Sequence, residues 1–346
     1  MSDLSALGWN ETLASAYRTF DRPDATPARV LRADRGVCTV LDPTGVTRAS
    51  LAGSVLLGAA RDPANLPCAG DWVVLRRWPD RRTTVDCVLP RRTALIRRTS
   101  DKDSVGQVLA ANMDAVAVVE PMHPEPDDAR LERLLALAWE SGAEPVIVLS
   151  KSDTARDPQA VARQLGELAP GVRVLAVSVH AGTGLDALRP YVAAGRTLAL
   201  LGRSGAGKSS LVNALAGAEV MGIQETRRAD GKGRHTTAYR NLVLIPGGGA
   251  VLDTPGIRGV GLLDTAEGLD RAFADVAALA ARCRFGDCGH DGEPGCAVAA
   301  ALADGTLLPR RLESWRKLHR EVAVESRRRA ARLAQAAGSS RRRPRS

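Results

Sequence analysis

The sequence predicts a multidomain protein: an N-terminal OB-type β-barrel, a central α/β domain built round a phosphate loop, and a C-terminal helical domain carrying a metal cluster. Three observations predict it. Short strand-like runs broken by turn residues fill the stretch from Ala28 to Arg98. From Asp114 onward, continuous apolar runs alternate with helical ones. Near the end, three cysteines and a histidine crowd between Cys283 and Cys296.

At 346 residues the chain has room for two or three cores, and 45% hydrophobic with 25% charged residues fits a globular protein. Aromatic residues make up only 3%, so the cores must be aliphatic. The formal net charge of +9 suggests a polyanionic partner, although an Arg-rich codon bias produces the same excess. The first ten residues lack a basic segment followed by an apolar run, and no stretch approaches the roughly 18 apolar residues of a membrane span. The expectation is a cytoplasmic location, where disulfides are rare. Cys38, Cys68 and Cys87 then read as small packed residues.

After an extension over 1–27, the runs Ala28–Leu31, Val37–Leu41, Val46–Leu51, Asp71–Arg76 and Thr83–Leu89 read as five strands. Five short strands within 28–100 suit an OB-type RNA-binding barrel, while an SH3-like barrel or a small sandwich meets the same pattern. Arg76, Arg77, Arg81, Arg82, Arg91, Arg92, Arg97 and Arg98 lie among Trp72 and Trp78, a composition suited to phosphates with stacked bases. A merely solvated basic face fits it equally well. In the domain over 101–264, the apolar runs Ala115–Val119, Pro145–Leu149, Val172–Val177 and Thr197–Leu201 alternate with helices near 127–141, 158–168, 184–193 and from Lys208. That is a doubly wound pattern, whose ligands bind at strand carboxyl ends. Helices near 265–282 and from Cys296 form the last domain, 265–338, and a basic tail over 339–346 is expected to be disordered past Gly338.

The phosphate loop is Gly202-Arg203-Ser204-Gly205-Ala206-Gly207-Lys208-Ser209, followed by Ser210. Its glycines let backbone amides face the β-phosphate, Lys208 carries charge to the β- and γ-phosphates, and the Ser209 hydroxyl is a magnesium ligand. Asp253-Thr254-Pro255-Gly256 ends another strand, placing Asp253 to hold magnesium and the Gly256 amide to meet the γ-phosphate. Ile257 follows where many GTPases carry a water-positioning Gln. Between these motifs, Gly231-Lys232-Gly233-Arg234-His235-Thr236-Thr237 reads as a switch loop. Thr237, or Thr236, would complete the magnesium shell, and His235 would polarise water, unless it is a surface histidine touching phosphate or RNA.

The base motif Ser150-Lys151-Ser152-Asp153 precedes the phosphate loop, the reverse of the ordinary order, so the domain reads as circularly permuted. Asp153 accepts two hydrogen bonds from guanine that adenine cannot supply, and the Lys151 stem lies along the base. Ser150 stands where Asn is usual and loses one base contact. Ser178 and Val179, at the next strand end, supply backbone amides to the base. Cys283-x4-Cys288-x-His290-x5-Cys296 offers a complete tetrahedral set for one structural zinc, in a loop too rich in Gly and Pro to build a core.

In this order, the phosphate loop, Gly233 to Thr237, Asp253 to Gly256 and the cysteine cluster resemble the RsgA (YjeQ) family of circularly permuted GTPases. The resemblance spans nearly the whole chain. It implies GTP hydrolysis to GDP and phosphate, stimulated by the small ribosomal subunit; the further expectation is a monomer with no membrane partner. It also implies rRNA contacts from barrel and zinc domain, a structural zinc, magnesium with GTP, and a catalytic role for His235 beside Lys208. Alternatives are an RNA-binding assembly factor with GTP as a structural ligand, a permuted GTPase of large-subunit assembly, and an ATP-dependent kinase.

Overall fold

The computed structural model describes residues 3–20, 22–97, 106–221, 241–254 and 266–340. His235, Thr236, Thr237, Gly256, Ile257 and Arg98 lie outside them. By their contacts the residues form two units, 1–127 with 141–260, and 128–140 with 261–346.

In the first unit, helix α1 (Glu11–Tyr17) precedes a barrel of β1 (Ala25–Asp34), β2 (Val37–Asp42), β3 (Gly45–Leu51), β4 (Trp72–Arg77) and β5 (Thr83–Val88). β1 pairs with both β2 and β4, and β3 runs parallel to β5, which closes the order β1-β2-β3-β5-β4 on itself. Closure removes every open edge. A register shift between Val30 and Arg32 bends β1 so that it serves two partners. Alternate residues, among them Ala28, Val30, Val40, Val73, Leu75 and Val85, fill the interior. The all-β expectation for this stretch misses helix α2 (Gly53–Arg61), which joins β3 to β4. Val55, its buried residue, completes the barrel interior. Leu4, Leu7 and Leu13 pack on the outer face with Trp72, whose ring meets Trp9 edge-on at 5.0 Å.

A hairpin-like pair, β6 (Ala94–Arg97) and β7 (Gln107–Ala111), leads to the α/β part. There β8 (Ala115–Pro121), helix α3 (Asp128–Glu140), β9 (Glu144–Ser150), helix α4 (Pro158–Leu168), β10 (Arg173–Val177), β11 (Thr197–Leu201), helix α5 (Lys208–Ala216), β12 (Asn241–Leu244) and β13 (Ala250–Asp253) follow in sequence. The sheet order is β10-β9-β8-β11-β13-β12, parallel except for β12, which reaches β1 of the barrel through Arg32 and Asn241. Val, Leu and Ala occupy both faces because helices cover both, and β8 is buried along its whole length. The segment Leu185–Val192, expected as a helix, is a 3-10 helix with Pro190 inside it, a residue that denies an α-helix its hydrogen bond.

The second unit contains α3, α6 (Ala266–Ala272), α7 (Ala274–Ala280), α8 (Ala297–Ala303) and α9 (Pro309–Ser340). The single helix expected over 265–282 is two, broken at Phe273, which is fully buried and lies outside helical geometry. A buried ion network ties α3 to this unit. Arg311 of α9 donates to Glu132 of α3 at 2.8 Å and grips Asp275 of α7 at 2.9 and 3.0 Å, while its guanidinium lies 4.1 Å from the Phe273 ring centre. Glu132 is only 1% exposed, so losing Arg311 would leave a buried charge with only the longer contact from Arg310 at 3.4 Å and the Ser314 hydroxyl. α9 continues to Ser340, past the point where the tail was expected to lose order.

Candidate functional site

Four parallel strands deliver the candidate site at their carboxyl ends: β9 into Ser150, β10 into Ser178, β11 into Gly202, and β13 at Asp253. The phosphate loop has no room for side chains where it leaves the sheet, since a Cβ on Gly202 would sit 2.3 Å from the Val119 carbonyl oxygen. Gly207, at φ +86°, makes the left-handed turn into α5. Arg203, Ser204, Gly205 and Ala206 form the bend between them, and Lys208, Ser209 and Ser210 open the helix. The Lys208 ammonium, 7% exposed, donates to the carbonyls of Gly202 at 2.9 Å and Arg203 at 3.0 Å. Burial lowers its pKa, opposed by the negative charges of Asp253 and Glu120.

Asp253 is 2% exposed, and its Oδ1 has no hydrogen-bond partner among the described residues. Burial pushes its carboxyl up to about 6, against the pull of Lys208. An orphaned buried carboxylate oxygen beside a phosphate loop suits a hard divalent cation, so the donor chemistry fits magnesium. The neighbouring Thr254 hydroxyl donates to the Leu200 carbonyl at 2.5 Å, pinning β13 to β11.

The base motif is laced to the phosphate loop. The Ser150 hydroxyl donates to the Ala206 carbonyl at 2.7 Å, and the Lys151 ammonium donates to the Gly205 carbonyl at 3.1 Å. Ser150 is buried, and its hydroxyl is turned to the phosphate loop, in keeping with the base contact it is expected to lose. The Ser178 hydroxyl donates to Asp153 and accepts from the Ala181 amide at 3.0 Å. That hydroxyl, more than the positive charges of His180 and Lys151, holds the exposed Asp153 carboxyl below its ordinary range. Sequence reasoning assigned the Ser178 and Val179 loop only backbone amides and missed this aiming role. The one available signal was a hydroxyl residue at a strand end, which is weak.

In the second unit the sulfurs of Cys283, Cys288 and Cys296 and a ring nitrogen of His290 all lie within 4.8 Å of one another. Cys283 and Cys296 sulfurs are 3.8 Å apart, and His290 Nδ1 is 3.5 and 3.6 Å from them. A tetrahedral zinc with bonds of ~2.3 Å to sulfur and ~2.05 Å to nitrogen has edges of ~3.8 and ~3.5 Å, so the residues fit such an ion. Burial pushes the Cys288 thiol up to about 12, a cost that a bound cation removes. Glu293 accepts amide bonds from Gly289 and Asp291, both 2.7 Å, and Arg316 of α9 donates to the His290 carbonyl at 2.8 Å. Those bonds brace a loop in which His290 holds a left-handed φ of 61°.

The basic barrel face differs from its expected form. Trp72 is 1% exposed and packs in the core, so it offers no ring to a base. Arg91 and Arg92 are paired with Asp71 and Asp114. Trp78 is half-buried, with Arg76 at 4.0 Å and Arg82 at 5.5 Å from its ring centre, and these two arginines are themselves paired with Asp24 and Asp80.

A phosphate loop that follows its own base motif, on one parallel sheet with a closed barrel before it, defines a circularly permuted P-loop GTPase. The sequence profile of the RsgA GTPase family matches residues 88–263, and the chain belongs to that family. It is 50% identical over 323 residues to the small ribosomal subunit biogenesis GTPase RsgA of Streptomyces coelicolor, covering 92% of this chain and 87% of that one. With the protein of the same name from Syntrophotalea carbinolica the identity is 43% over 329 residues, covering 93% and 90%. The crystal structure of YjeQ from Thermotoga maritima matches with a TM-score of 0.63 at 28% identity, over 86% of this chain and 99% of that one.

Proposed function

We propose that the protein is a GTPase that binds the small ribosomal subunit, assists its late maturation, and is released on hydrolysis of GTP to GDP and phosphate. The observation that carries this reading is the meeting of four motifs at neighbouring strand ends in a chain of the RsgA family. Asp153 and Lys151, with Ser178 and Val179, receive guanine. The loop from Gly202 to Ser210 and the Gly256 amide receive the phosphates, and Lys208 offsets the charge that grows as water attacks in line. Ser209, Asp253 and Thr237 or Thr236 would hold magnesium, which when bound neutralises phosphate charge. His235 orients the attacking water, since Ile257 cannot polarise it. Cys283, Cys288, His290 and Cys296 hold one structural zinc. The barrel, through Arg76, Trp78 and Arg82, and the zinc domain contact rRNA. The protein works as a monomer in the cytoplasm; no helix among the described residues is long and apolar enough to cross a membrane.

GTP turnover measured with and without purified small subunits tests the reading. Strong stimulation by small but not large subunits is expected, and unstimulated turnover would leave an assembly factor with GTP as a structural ligand. His235→Ala is expected to lose the stimulated turnover, by about 100-fold or more, with near-normal GTP binding. Full turnover in that variant would remove His235 from the mechanism.

A further inference from the structure

Among the described residues, no carboxylate pairs with the buried charge of Arg29. It lies in β1, 1% exposed, where a charged residue is expected only with an opposite charge against it. Its Nη1 donates to the Leu7 carbonyl, and its Nη2 to the Asn112 carbonyl at 3.2 Å and the Thr197 hydroxyl at 2.8 Å. All three acceptors are neutral, and Nε has no hydrogen-bond partner among the described residues. The two acids whose charges act on it, Asp114 and Asp71, are engaged elsewhere. Asp71 is gripped by Arg91 through two bonds of 2.7 Å, and Asp114 accepts from Arg92 at 2.6 Å and from the Thr197 amide at 2.7 Å. Three arginines thus face two carboxylates, leaving one net positive charge. Burial pushes the Arg29 pKa down only to about 10, so the group stays ionised at neutral pH.

Beside this guanidinium is a cavity of about 200 Å³, lined also by Arg91, Arg92, Asn112, Asp114 and Thr197. Neutral acceptors satisfy a guanidinium's hydrogen bonds without offsetting its charge, and an unpaired charge with adjacent free space is completed by an anion. The cavity is smaller than the roughly 300–1,000 Å³ of sites for drug-sized ligands, so a nucleotide is too large for it. We propose that this cavity binds a compact oxyanion, the carboxylate or phosphate group of a small molecule, with Arg29 as its charge partner. The site is separate from the phosphate loop, which lies at the other end of β11 from Thr197. Because Arg29 also holds Leu7, Asn112 and Thr197, a bound anion would tighten the junction of the N-terminal segment, barrel and sheet.

NMR of the arginine Nε–H groups in the full-length protein tests this, with the Arg29 signal assigned by its absence in Arg29→Lys. Sodium acetate or inorganic phosphate is titrated in at constant ionic strength, with chloride as the balancing anion. A saturable shift of the Arg29 signal with acetate alone identifies a carboxylate site, with phosphate alone a phosphate site, and with both a general oxyanion site. Arg92→Gln removes a cation whose side chain is 59% exposed, and it should weaken binding about tenfold while the protein stays folded. If Arg29→Lys does not fold, the unfolding midpoint supplies the readout. It should rise with acetate or phosphate over chloride in the unaltered protein and rise less in Arg92→Gln. An Arg29 signal and midpoint indifferent to both oxyanions, or equal affinity in Arg92→Gln, would overturn the proposal.

Discussion

The strand-end site and the cysteine cluster achieve fixed geometry by opposite means. The first gathers residues from 150 to 253, each placed by strand register and by a sheet whose apolar faces are covered. The second takes all its candidate ligands from 283 to 296, a stretch with little apolar material to bury. A site built by packing keeps its shape whatever occupies it, whereas a site built from a polar loop depends on the ion that joins its ligands.

The sharpest way to break that comparison is to remove the metal ligands. Cys283→Ser with Cys296→Ser should abolish metal binding, measured as one equivalent per chain falling to none. The energy at stake is of the order of 10 kcal/mol. Amide hydrogen exchange over 283–296 should become fast while guanine nucleotide binding survives, and unchanged protection there would mean that packing alone holds the loop.

Asp253→Asn probes the packed site. The folded carboxyl has a pKa of about 6 against an ordinary 3.8, so the folded chain holds this proton more tightly than the unfolded one does. Burial of the group therefore costs nothing below pH 4, costs more as pH rises from 4 to 6, and is fully felt above 6. The difference is worth up to roughly 3 kcal/mol. Denaturant unfolding without magnesium should find Asp253→Asn more stable than the unaltered protein at pH 7 and no more stable at pH 4, with magnesium-dependent turnover lost. Equal stability at both pH values would contradict the buried, ionised carboxylate.

Asp153→Asn should weaken GTP about tenfold or more and admit xanthosine triphosphate, as competition binding would reveal. Retained guanine preference would remove Asp153 from base reading. Smallest is Ser150→Ala. If Ser150 only fastens the base motif to the phosphate loop, affinity for GTP and GDP should fall together by several-fold, with guanine selectivity unchanged. A loss of selectivity would restore a direct base contact.

The strand-end placement of the motifs was legible because each pairs a residue type with an apolar run just before it, and both parts are local. The cluster was legible because its four residues lie within one short stretch. Ser150, Trp72 and Arg91 were not, because their roles depend on what lies opposite. Ser150 meets a carbonyl of residue 206, Trp72 meets Trp9, and Arg91 meets Asp71. Periodicity revealed α3 as a helix from its buried Leu131, Leu134 and Leu135. It could not reveal that Glu132, in the midst of them, is matched to an arginine at 311.

That last pairing sets a rule for dissecting the molecule. The C-terminal unit borrows the thirteen residues of α3 from the middle of the chain, spliced between β8 and β9. No single cut in the polypeptide separates the two units. A fragment ending near residue 260 would keep Glu132 and lose Arg311 and Ser314, its partners. Such a fragment should be prone to aggregate. Two coexpressed pieces, divided in the segment over 255–265, are the better route to studying either half.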